Sequence, residues 1–298
     1  MWTSGSADTI EDLYDAMDSV LTTVGWVKHP IHRYCNIYEG TGAGTDKIFF
    51  ILDMHEYVDS QDRLTLDAAV GYDLRLGAFE QPGSLQQWHK STGQVTASTI
   101  PQFCITPTER FFYWIFCDTY RMIVVCRMSI VYESMYIGFI NPIASERQYP
   151  YPMYVCGNTT KGGSSWPSNG NGSFVFPQNN QGQLRRADGT WRSFDASKPD
   201  PSPSSQGTVF PYNSHNKRLI PNYKEDDAIN QDNFLLIPVM LHTNDPVDVS
   251  GLLRGVYWIS GTRDLDAERI LAFGSNHYIV FDTKQDRGPN TYFAVAMA

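Results

Sequence analysis

The chain has 298 residues and a net charge of −9, from 23 basic and 32 acidic side chains. Charged residues are 18% and aromatics 13%, with 23 Gly and 17 Pro, a profile that excludes a disordered chain, a coiled coil and a collagen-like fibre. The acidic balance gives no basic footprint for nucleic acid and no attraction to an anionic membrane.

In chain order, residues 8–24 carry the one helix signal. Ile10, Leu13, Met17, Leu21 and Val24 recur at steps of three and four, the spacing of one helical face. Asp8 is the expected N-cap, with Glu11 three places on, and Gly25 the expected stop. Strand patterns follow at Tyr34–Tyr38, Lys47–Met54 and Leu64–Tyr72, between turns rich in Gly and Asp. The most apolar block is Arg110–Cys117, Met122–Met128 and Ser129–Ile140. Its runs alternate only partly, which predicts strands covered on both faces. Asp118–Arg121 is the predicted hairpin turn between the first two.

Residues 157–208 differ in composition, being rich in Gly, Ser, Asn, Gln and Pro, yet punctuated by Trp166, Phe174, Val175, Phe176, Trp191 and Phe194. Loops longer than about 15 residues are uncommon in compact domains. The segment is read as a long excursion that orders partly against the body or a neighbouring subunit. Strands resume at Phe234–His242, Gly255–Ser260, Ile270–Phe273, His277–Phe281 and Tyr292–Met297, with Phe273–His277 as a tight hairpin connection. The expected fold is mainly β (α+β): an antiparallel sandwich or barrel-like body, one N-terminal amphipathic helix, and the excursion. The divisions are 1–156 for helix and β body, 157–208 for the excursion, and 209–298 for the strands that complete the body.

The longest apolar run, Phe111–Cys117, has seven residues, against the ~18 needed to span a bilayer. The first residues lack a basic and an apolar stretch, so no signal peptide is expected. Cys35, Cys104, Cys117, Cys126 and Cys156 form no C-x-x-C pair, and read as reduced thiols. The sequons at Asn158 and Asn171 carry little weight without secretion.

No motif for chemistry emerges. Gly40–Gly44 fits neither phosphate-loop pattern and leads into a strand, so a hairpin turn is expected. His29-Pro30-Ile31-His32 cannot be a helical metal pair, because Pro30 breaks a helix. No G-x-S-x-G is present. Cys104 is the least buried-looking thiol, and Asp264, Asp266 and Glu268 read as a solvated turn. No cofactor, metal or catalytic residue is assigned, and the chain is not expected to be an enzyme.

Aromatics dominate from Tyr132 to Val155, where Asn141-Pro142, Tyr149-Pro150 and Tyr151-Pro152 hold the chain extended. Tyr and Met suit subunit contacts; a Tyr- and Trp-lined groove equally suits a sugar; a Pro-fixed corner inside one subunit is the third possibility. The run MSIVYESMYIGFINPIASERQYPYPMYVCGN, residues 128–158, resembles a segment of a widespread family of tailed-bacteriophage virion proteins. The resemblance extends to Gly25-Trp26, Gln81-Pro82-Gly83-Ser84, Phe112-Tyr113-Trp114 and Arg121–Val125. It continues through Gly255–Gly261, His277–Phe281 and Tyr292-Phe293-Ala294. Residues 157–230 match least, and Cys117 and Asp118 depart from small polar residues common in that family.

The resemblance implies a structural virion protein, present in several copies in the tail, neck or baseplate and assembled in the bacterial cytoplasm. Its implied partners are copies of itself in a symmetric ring and other tail, neck or baseplate proteins. Tyr136, Phe139, Tyr149, Tyr151, Tyr154 and Trp166 are the candidate contact residues. A tail-tip module that holds a host glycan is the alternative, and a wall- or capsule-degrading enzyme a third.

Overall fold

The computed structural model describes residues 1–43, 46–54, 63–71, 101–105, 109–143, 152–160, 173–175, 177, 182–185, 191–194, 208–210, 236–244, 247–259, 265–283 and 292–297. In chain order the elements are β1 (Trp2–Ala7), α1 (Ile10–Val24), β2 (Val27–His32), β3 (Cys35–Ala43), β4 (Asp46–Asp53), β5 (Arg63–Gly71) and β6 (Pro101–Cys104). Then come β7 (Phe111–Cys117), β8 (Arg121–Met128), β9 (Val131–Phe139), β10 (Met153–Cys156), β11 (Thr159–Thr160), β12 (Gly182–Arg185) and β13 (Trp191–Phe194). The last are β14 (Thr208–Phe210), β15 (Leu236–Asn244), β16 (Val247–Ile259), β17 (Ile270–Phe273), β18 (Asn276–Asp282) and β19 (Tyr292–Ala296).

These strands form three antiparallel sheets. The central sheet runs β1-β7-β8-β9-β10-β12-β13, the second β11-β6-β5-β4-β3-β2, and the third β14-β15-β16-β19-β18-β17. The protein is mainly β with one described helix, and the sheets are open, with no barrel closure among the described residues.

The central sheet explains the weak alternation of residues 110–140. Successive side chains of a strand point to opposite faces, and here both faces are covered. Phe111, Ile115, Met122, Val124, Cys126, Met135, Ile137 and Phe139 join α1 and the second sheet in one core, with Tyr38, Phe50 and Phe103. Their neighbours Trp114, Phe116, Ile123, Val125, Tyr136 and Tyr154 face the third sheet, against Trp258, Phe281 and Phe293. Polar outward positions are therefore scarce, and the sequence reads as near-continuous apolar runs.

The helix lies on the first of these cores through Ile10, Leu13, Met17 and Leu21, all buried. Its N-cap is Thr9, not Asp8, and the box is closed by Asp12, not Glu11. Thr9 Oγ1 accepts from the Asp12 N–H at 3.1 Å, and Asp12 Oδ2 accepts from the Thr9 N–H at 3.1 Å. Asp8 instead forms a bidentate pair with Arg110 at 2.8 and 3.0 Å. Gly25 ends the helix as expected, at φ 104°, in the left-handed region where a Cβ is penalised.

The anticipated strands are present with shifted ends. β16 begins at Val247, well before the expected Gly255, and β1 was unanticipated. Where it is described, the compositionally distinct segment is largely sheet: β12 pairs with β10, β13 with β12, and β11 with β6. Phe174 and Val175 are buried in the second core. Gly40–Ala43 lies at the β3–β4 hairpin, with Ala43 paired to Asp46, in line with the turn expected there.

Candidate functional site

The described polar groups concentrate at the joints between layers. The first is the β7–β8 turn. Asp118 Oδ1 accepts the Tyr120 and Arg121 N–H groups at 2.8 and 3.1 Å, which shapes the turn. Its carbonyl accepts from Trp26 Nε1 at 2.9 Å, tying in the end of the helix. Its Oδ2 stands 3.6 Å from Arg121 Nε and 3.5 Å from Arg254 Nε, the latter carried by β16. Arg254 also lies over the Tyr120 ring, 4.1 Å from its centroid. One carboxylate thus faces two guanidiniums, and the Arg121 side chain is only 5% exposed. Its Nε and Nη1 have no hydrogen-bond partner. Two glycines make room for it. Gly138, at φ 142°, lets Tyr120 and Arg121 approach, and Gly255, at φ 68°, leaves space beside Arg121 Nη2.

A second joint links the central and third sheets. Arg127 Nη1 meets Glu268 Oε1 at 2.6 Å, and the Tyr132 hydroxyl donates to the same oxygen at 2.6 Å. The Arg127 guanidinium lies 4.9 Å from the Phe112 ring centroid, a cation–π contact. Burial, then the Glu268 contact, raise the Tyr132 hydroxyl well above its ordinary value. Glu268 is therefore engaged, not merely solvated as expected; Asp264 lies outside the described residues. The third joint binds α1 to the second sheet. Asn36 Nδ2 donates to the Tyr14 hydroxyl at 2.7 Å, Tyr38 donates to Asp18 Oδ1 at 2.6 Å, and Lys28 pairs with Asp18 at 2.9 Å.

Burial pushes the Cys117 and Cys156 thiols up to about 12, and Cys126 well above its ordinary value. These thiols stay protonated at neutral pH, and the thiolate is the reactive form. The side chain of Cys104 lies outside the described residues. His29 is paired with Glu39 at 3.0 Å across β2 and β3. Among the described residues, no three His, Cys, Asp or Glu side chains gather as a metal would require, and no helix is long and apolar enough to cross a membrane.

Of the six candidate contact residues, Tyr136, Phe139 and Tyr154 are fully buried. Tyr136 donates to the Phe139 carbonyl at 2.7 Å and Tyr154 to the Phe174 carbonyl at 3.0 Å. Their strands are covered on both faces, so these side chains pack in the two cores. Tyr149, Tyr151 and Trp166 lie outside the described residues.

Among the large apolar side chains that face solvent, Trp2, Val27, Ile270 and Phe273 stand on outermost strands of the described sheets, whereas Phe112 and Val249 stand on inner strands and Ile130 and Ile143 in loops. Trp2 on β1 and Phe112 on β7 are 38% and 45% exposed, and Ile270 and Phe273 on β17 are 53% and 37% exposed. Among the described strands, β1 lies at one end of the central sheet and β17 at one end of the third, with β13 and β14 at the opposite ends. Trp-Thr-Ser-Gly-Ser-Ala has no apolar alternation that would mark β1 as a strand, and the pattern of β17 marks a strand but not an edge.

The chain matches no protein-family model and no curated protein.

Proposed function

We propose that this chain is a structural virion protein of a tailed bacteriophage, present in several copies in the tail, neck or baseplate, and acting through contacts between subunits. The observation that carries this reading is the position of the exposed apolar side chains. Trp2, Ile270 and Phe273 stand on strands that are outermost among the described residues, and an outermost strand is where a further chain can be added by backbone hydrogen bonds. The polar groups support it too: the joints at Asp118, Glu268 and Asp18 are spent on holding layers together. The family-like stretch from residue 128 to 158 contributes the strand β9 and the strand β10 of the central sheet, which makes it the scaffold on which the rims are displayed.

Immunogold labelling of purified particles, with antibody raised to the chain, tests this. Label confined to the tail, neck or baseplate is expected. Particles without label, combined with turbidity loss when the chain is added to host cell walls, would replace the reading with that of an enzyme. Label at the tail tip together with binding to a host-glycan array would favour receptor recognition.

A further inference from the structure

Sheet edges with unpaired backbone groups invite another strand, and monomeric proteins guard them with charge, Pro or bulges. Among the described residues, three outermost strands have described side chains, and they differ. β2 is guarded by Pro30, by the Lys28–Asp18 pair and by a register shift between Pro30 and His32. β1, Trp-Thr-Ser-Gly-Ser-Ala, and β17, Ile-Leu-Ala-Phe, contain no charge and no Pro. The nearest carboxylates are paired, Asp8 with Arg110 and Glu268 with Arg127, and Arg269 and Asp266 lie before the start of β17.

Among the described residues, the register identifies the backbone groups that have no ladder partner. Met1 and Cys117 exchange hydrogen bonds, each at 2.9 Å. Antiparallel pairs alternate between bonded and non-bonded, so Thr3, Gly5 and Ala7 bond to β7 while Trp2, Ser4 and Ser6 direct N–H and C=O outward. On β17 the two-residue turn Gly274-Ser275 makes Phe273 and Asn276 the closing bonded pair. Leu271 then bonds to β18, and Ile270 and Ala272 point theirs outward. Among the described residues, one edge thus offers three residues without a ladder partner and the other two, with matching donors and acceptors.

We propose that these edges are the two halves of one joint between copies of this chain, with β17 of one copy added as a strand beside β1 of another. This deepens the structural reading above and rests on it for the biological setting. The occupant is a second copy because both halves of the joint occur in one chain. A subunit of charge −9 repels its copies, so contact is favoured where charge is absent, and β1 and β17 are such places. Trp2, Phe112, Ile270 and Phe273 supply the apolar side chains that dehydrate the joint.

The test uses the full chain with a photo-crosslinking amino acid at position 270, mixed with isotope-labelled chain. Mass spectrometry is expected to find cross-links from residue 270 to residues 2–6 of the other isotopic form. Ser4→Pro and Ala272→Pro remove one outward N–H each and none of the bonds to β7 or β18, and Pro is tolerated on edge strands. Each is expected to weaken self-association by about ten-fold or more while circular dichroism and thermal unfolding stay as in the parent chain. A chain that remains monomeric at every concentration, or cross-links confined to other segments or to the same copy, overturns the joint. Failure here leaves immunogold labelling of particles free to succeed, since copies could meet through other surfaces. Failure of labelling leaves the cross-link result standing, so the two outcomes separate.

Discussion

Asp118→Ala probes the joint at the β7–β8 turn. Asp118 Oδ1 accepts two backbone N–H groups, at 2.8 and 3.1 Å, each worth about 1 kcal/mol net. Its Oδ2 is the acidic group 3.6 Å from Arg121, whose side chain is 5% exposed. Stripping the partner from a buried charge costs about 3–5 kcal/mol. Asp118 is itself 29% exposed and the ion pair is long, which reduces that share to roughly 1–2 kcal/mol. The sum is about 3–4 kcal/mol. Asp118→Asn keeps an acceptor for the turn and removes only the charge, so its cost is about 1–2 kcal/mol. Urea unfolding followed by the fluorescence of Trp26 and Trp258, both buried, reads these changes. At a slope near 3 kcal/mol/M, Asp118→Ala moves the midpoint down by about 1 M. An Ala variant within about 0.5 kcal/mol of the parent would refute the reasoning. An Asn variant as costly as Ala would assign the whole effect to charge and remove the turn from the account.

Other perturbations probe other layers. Gly138→Ala places a Cβ at φ 142° against the Tyr120 carbonyl and the Arg121 backbone, so it costs more than the about 1 kcal/mol expected of Gly25→Ala, where φ is 104° and nothing lies within 4 Å. Thermal unfolding of the two variants ranks them, and an equal loss would contradict the close approach. Phe281→Ala removes a ring that meets Trp114, Phe116, Tyr132 and Phe293, at about 3–5 kcal/mol; a loss below 1.5 kcal/mol would mean that the second core re-collapses. Burial raises the Cys117 and Cys156 thiols from 9.0 to about 12, so their contribution is complete below pH 9 and is lost as pH rises from 9 toward 12. Melting temperature is expected to be flat up to about pH 9 and to fall beyond it, less steeply for the Cys117→Ala, Cys156→Ala double variant once each is referenced to its own value at pH 7. Identical slopes for variant and parent would exclude the thiols as the cause.

The helix was legible because it faces one core, so its 3.6-residue period survives in the sequence. Asp8 and Thr9 are both good caps, and local sequence did not show that Arg110 claims Asp8 from a hundred residues away. The strands from Phe111 to Phe139 were legible as strands but not as faces. Ile115 and Phe116 are equally apolar because each meets a different core. For the same reason Tyr136, Phe139 and Tyr154 could be singled out as aromatic but not assigned to inside or outside. β1 was hidden because its six residues draw their conformation from pairing with β7, not from their own pattern. The Arg254–Asp118 approach spans 136 positions in the chain, and no spacing rule reaches that far. The same holds for the free edges: an outermost strand is defined by what does not pair with it, which a single sequence does not record.

The most direct measurement for the structural role is peptide-counting mass spectrometry on purified phage particles, scaled to the portal protein. The account predicts a copy number that is a small multiple of three or six. Absence of the chain from the particles would contradict it, and a count in the hundreds would move the chain to the capsid lattice or tail tube.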